Sequence, residues 1–97
     1  MQTLAIEEEM TIFTAAQQKL RLLSFLESGD VLEIDLAKVS ELDTAGLQLL
    51  ILVKREAVRR GKALNFILHS KAILEVLELT NLTNAFGDQV ILATDEA

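Results

Sequence analysis

Between Val31 and Leu36 the chain alternates, Val31-Leu32-Glu33-Ile34-Asp35-Leu36, and this predicts a strand with Leu32, Ile34 and Leu36 on one face. Ala63–Leu68 is an apolar run broken only by Asn65 and reads as another strand, and Val90-Ile91-Leu92 as a short last one. The Leu4–Ile12 region is weakly strand-like and is interrupted by Glu7-Glu8-Glu9, where a tight turn or irregular edge is expected. Helical spacing takes over between these stretches. Ala16, Leu20, Leu23 and Leu26, with Ala15 and Leu22 beside them, predict a helix that Thr14 caps and Ser28-Gly29-Asp30 stops. A second helix starts at Asp43, runs to about Arg60 and ends at Gly61. Ser70 caps a third, Lys71–Leu79, whose Ile73, Leu74 and Leu77 share a face. Strands alternating with helices imply parallel crossovers and an α/β domain, with the helices mainly on one side of the sheet.

The second helix carries the most information. At about 100° per residue, Leu47, Leu50, Ile51, Ala57 and Val58 form one broad face, with the Lys54 stem at its lower end and its amine in water. Opposite lie Thr44, Ala45, Gln48, Leu49, Leu52, Arg55 and Arg59. Two leucines on an outward face fit either a docking surface or contact with another helix of the same domain. Gly46 costs roughly 1 kcal/mol against alanine inside a helix, so a close backbone approach is expected there. Thr44 stands in the first turn, where free N–H groups and the helix dipole favour an anion, although Asp43 would repel one.

Composition removes several kinds of chemistry. The 97 residues suit one domain without an internal linker, and 51% apolar content is enough for one core. There is no cysteine, and His69 is the only histidine. Thiol chemistry and the usual transition-metal ligand sets are therefore excluded. No P-loop or dinucleotide fingerprint can be assembled, and no constellation of catalytic residues emerges. A non-enzymatic protein with no cofactor and no metal is expected. The net charge of −6 argues against nucleic-acid binding. Five of the nine cations, Lys54, Arg55, Arg59, Arg60 and Lys62, cluster where they complement a helix C-terminus or rim a partner surface. The N-terminal residues lack the form of a secretory signal, and no apolar run approaches the length of a membrane span, so a cytoplasmic location is expected.

Glu33-Ile34-Asp35-Leu36, then Val39-Ser40-Glu41-Leu42-Asp43-Thr44-Ala45-Gly46-Leu47, the basic helix end with Gly61, Ser70, and Leu82-Thr83-Asn84-Ala85-Phe86 together resemble the STAS domain family. The resemblance implies a four- to five-stranded mixed sheet with helices packed mostly on one face. In the anti-sigma-factor antagonists of that family, the hydroxyl residue after the motif aspartate is phosphorylated by a partner anti-sigma kinase and reset by a phosphatase. Thr44 occupies that position. The resemblance thus implies a bacterial regulatory module acting in transcription and signal transduction. Its phosphoacceptor would be Thr44, and its partner-binding residues Asp43, Thr44, Ala45, Gln48, Leu49, Leu52 and Arg55. Asp-Thr-x-Gly also resembles the small STAS subunit of lipid-transporting ABC systems, which docks on the transport ATPase. Similar stand-alone domains resemble partners of chemotaxis or two-component systems.

Overall fold

The computed structural model describes residues 1–80; the expected strand at Val90–Leu92 lies outside them. In chain order the elements are β1 (Gln2–Ala5), α1 (Ala15–Phe25) with a 3₁₀ turn at Leu26–Ser28, β2 (Val31–Asp35), α2 (Thr44–Arg59), β3 (Ala63–Ile67) and α3 (Lys71–Thr80). The described strands form a three-stranded sheet, ordered β1-β2-β3 and wholly parallel, where the resemblance implied four to five mixed strands. The first strand also begins earlier than the sequence pattern suggested, at Gln2.

The sheet is sided as the alternation in β2 predicts. Leu4, Ile34 and Phe66 are in register across the three strands, and Leu32 pairs with Leu64. Leu32, Ile34, Leu64 and Phe66 are buried against α1, α2 and α3 in one cluster. Each such side chain stabilises the fold by about 1.5–3 kcal/mol relative to an exposed one. Thr3, Glu33 and Asn65 stand in register on the other face, where Glu33 accepts a hydrogen bond from the Thr3 hydroxyl at 3.4 Å. β3 ends at Ile67, and Leu68 takes a left-handed φ of 55° to turn the chain towards α3. Leu36 holds that corner: its N–H donates to Ile67 O at 2.9 Å, and its carbonyl accepts from Ser70 N–H at 3.2 Å. Ser70 caps α3 as expected, its Oγ accepting the Ile73 N–H at 3.2 Å.

Both long helices are rotated from the faces their leucines suggest. On α1, Leu22 and Leu26 are buried together with Gln18, while Leu20 is 74% exposed. Gln18 replaces the expected apolar residue because its amide donates to Glu9 O at 2.8 Å and to Glu8 Oε2 at 3.0 Å. Glu8 and Glu9 thereby belong to the turn before α1, and Glu9 Oε2 also accepts from Thr11 Oγ1 at 2.5 Å. Thr14 precedes the helix, but its hydroxyl donates to Glu9 O and accepts the Thr11 N–H and leaves the helix amides alone.

On α2 the buried residues are Gly46, Leu47, Leu49, Leu50, Val53 and Ala57. This centre is turned by roughly 80° from the expected one, so Val58 is exposed and Leu49 is in the core. The reason is Gly46. A Cβ at that position would lie 1.9 Å from the carbonyl oxygen of Met10 and 2.8 Å from Leu42 Cδ1. The loop before α1 presses its main chain against α2 here, and only glycine allows it. Gly61 has a different purpose: its φ of 72° ends α2, and nothing crowds it.

These two glycines predict contrasting costs. Gly46→Ala should lower stability by about 3 kcal/mol through backbone collision. Gly61→Ala should cost about 1 kcal/mol through its φ alone. Urea unfolding of both variants checks this, and equal losses would show that the Met10 loop moves aside freely.

Candidate functional site

The loop between β2 and α2 is closed by main chain before any side chain is considered. Met10 N–H donates to Glu41 O at 2.8 Å, and Asp43 N–H donates to Met10 O at 3.3 Å, making a parallel bridge between Met10 and Leu42. The Asp43 carboxylate then joins the two segments. Its Oδ1 accepts the Gly46 N–H at 3.0 Å, the usual N-cap bond, and its Oδ2 accepts the Ile12 N–H at 2.9 Å. Gly46 N–H first, and Ile12 N–H second, hold the Asp43 carboxyl below its ordinary pKa against the opposing effect of burial.

Thr44 follows at the first position of α2, exposed, its hydroxyl in no hydrogen bond among the described residues. The rest of the expected surface continues from it. Ala45, Gln48, Leu49 and Leu52 line one side of a groove of 230 Å³, and Ala15, Ala16 and Lys19 of α1 line the other. The recess exists because three of its seven lining residues are alanines. Gln48 and Leu52 also border a second hollow of 390 Å³ farther along α2, lined with them by Ile51, Arg55, Glu56 and Arg59. Leu52 is 39% exposed on the ridge between the two.

Of the seven partner-binding residues expected from sequence, Leu49 is 5% exposed and forms the floor of a groove shared with α1, in line with the contact to another helix that the sequence left open. Asp43 is half-buried and spent on backbone amides, while Thr44, Gln48, Leu52 and Arg55 face outward. The α1 wall was missed in the sequence. Its signal was Ala15-Ala16 followed by Lys19, small residues and a cation at helical spacing, but the two alanines were read only as part of the helix's apolar pattern.

The basic cluster mostly serves the fold. Glu56 accepts from Arg59 Nε at 3.0 Å and from Arg60 Nε at 2.8 Å, and these two arginines lower its pKa from 4.5 to about 2, Arg59 contributing most. Lys62 Nζ donates to Gly29 O at 2.7 Å. Lys54, expected to reach water, turns its amine to the Leu64 carbonyl. Arg55 alone of the five makes no bond or ion pair among the described residues. His69 is buried just beyond β3. Among the described residues, no group of three or more His, Asp or Glu side chains is placed to hold a metal ion, and no helix is long and apolar enough to cross a membrane.

A protein-family model described as "Mlab, STAS domain" matches residues 1–92. The chain belongs to the STAS domain family, whose members are generally non-catalytic protein-interaction modules. No curated protein matches it.

The Asp43 geometry predicts a pH dependence. Its folded pKa lies below the unfolded value, so its contribution is complete above the ordinary carboxylate range and is lost as pH falls through the folded pKa. Asp43→Ala should therefore lower the urea midpoint at neutral pH, and the gap to wild type should close on acidification. A gap that stays constant down to strong acid would rule out the carboxylate as its source.

Proposed function

We propose that this STAS domain is a non-enzymatic regulatory module of the anti-sigma-factor-antagonist kind. It binds an anti-sigma or related kinase-type partner through the start of α2 and is switched by phosphorylation at Thr44. The observation that carries the reading is the state of the Asp43-Thr44 pair. Asp43 is consumed in holding the loop to the helix, whereas the adjacent Thr44 hydroxyl is exposed and makes no hydrogen bond among the described residues. A phosphate there adds roughly −1.5 to −2 charges at neutral pH. It would stand beside an apolar groove and next to a carboxylate, so it repels a docked partner without disturbing any bond that the fold uses. A phosphatase then restores the docking form.

One observation also favours a second reading, a subunit docked on the ATPase of a lipid-transporting ABC system. The Gly46 and Ile12 N–H groups that could have received a phosphate are already taken by Asp43. In that reading Thr44 touches the partner and carries no phosphate.

Phosphorylation by the candidate partner kinase, with Thr44→Ala alongside, separates the two. Incorporation in wild type and none in Thr44→Ala, with weaker partner binding by Thr44→Glu, is the expected result. No phosphate at Thr44 and unchanged affinity of Thr44→Glu would end the switch reading. Leu52→Asp should abolish partner binding and leave the unfolding midpoint in place, because the side chain is already partly in water. Loss of the fold instead would place Leu52 in the core.

A further inference from the structure

The chain carries fifteen acidic residues against nine basic ones, yet the groove between α1 and α2 has no carboxylate in its lining. Lys19 stands on its α1 wall, and Arg55 lies one turn beyond Leu52 in the adjoining hollow. Neither makes a hydrogen bond or ion pair among the described residues. Of the carboxylates on α2 and at its cap, Asp43 stays charged but is turned to the Gly46 and Ile12 amides, and Glu56 is paired with Arg59 and Arg60. Because Glu56 meets two guanidinium groups, that cluster also keeps an excess of positive charge. An otherwise acidic protein thus presents a locally cationic face around an apolar recess floored by Leu49 and shaped by Ala15, Ala16 and Ala45.

We infer that this groove receives a helical segment of the partner protein that carries an apolar side chain flanked by carboxylates. The apolar residue fills the alanine-lined recess beside Leu52, and the carboxylates pair with Lys19 and Arg55 on either side. The inference rests on the docking reading above and adds the chemistry of the occupant. Charges at such a rim steer association and select among partners more than they hold them. The chain as a whole carries a charge of −6, so approach of an acidic segment by its cationic face is favoured. A Thr44 phosphate at the start of α2 would oppose the same carboxylates, which gives the switch its sign.

Two synthetic helical peptides with an identical leucine pattern, one flanked by glutamates and one by lysines, test this against the ¹⁵N-labelled chain. The glutamate peptide should shift the amide signals of Ala15, Ala16, Lys19, Ala45, Leu52 and Arg55. It should bind about fivefold to tenfold more tightly than the lysine peptide, the size expected of two rim charge pairs. Its affinity should fall as salt shortens the screening length. The Lys19→Glu, Arg55→Glu double variant should reverse the preference without moving the urea midpoint. Ala16→Trp, a change at an exposed position, should block the recess to both peptides. Equal binding of the two peptides, no binding of the glutamate peptide, or shifts elsewhere on the chain would overturn the inference. So would a self-dimer by sedimentation that Leu52→Asp dissociates, since the occupant would then be a second copy. If a kinase-type partner loses binding to Leu52→Asp but not to the charge-reversed variant, the docking reading stands and the acidic occupant falls.

Discussion

The contact between the Met10 carbonyl and the bare Cα of Gly46 is the constraint from which the rest of the site follows. Main chain against main chain leaves no room for a side chain, and this fixes the rotation of α2 about its own axis. With Gly46 turned inward, Leu49, Leu50 and Val53 are buried as well, and Thr44, Gln48, Leu52 and Arg55 face outward. The Asp43 carboxylate secures the arrangement by taking one amide from each segment, that of Gly46 beside it and that of Ile12, 31 positions before it in the chain. Its bond to the Gly46 N–H replaces what water would otherwise supply to the exposed end of the helix.

Local signals in the sequence carried the elements well. The Asp43 cap, the Gly61 stop, the alternation in β2 and the Ser70 cap of α3 each rest on chemistry within three residues, and each is present. The expectation that Gly46 answers a close approach also held, although the neighbour could not be named from sequence. What failed was orientation. Leu47 and the run from Leu49 to Val53 put apolar groups almost all round the helix, so periodicity alone cannot choose a buried face. The Met10 loop makes that choice through a long-range contact. On α1 the exposed Leu20 pulled the expected face away from Gln18, whose burial depends on two glutamates in a preceding turn.

A related lesson concerns charge. Five cations near the end of α2 fitted either a helix C-terminus or a basic rim; four of them bond to carbonyls or to Glu56, and Arg55 alone makes no side-chain bond among the described residues. Lys19, remote in sequence, lines the groove that adjoins Arg55's hollow. Counting charges along a helix does not show which of them stay available, because a long side chain first satisfies whatever acceptor its own fold brings near.

Closure by backbone atoms has a further consequence. Neither the Met10 carbonyl nor the glycine it meets depends on which side chains stand at positions 44, 45, 48 and 52. Those four residues can be exchanged while their places in space are kept. The architecture separates the address at which a surface is displayed from the message written on it. A small domain of this design can change its correspondent through a few substitutions, without having to solve its folding problem again.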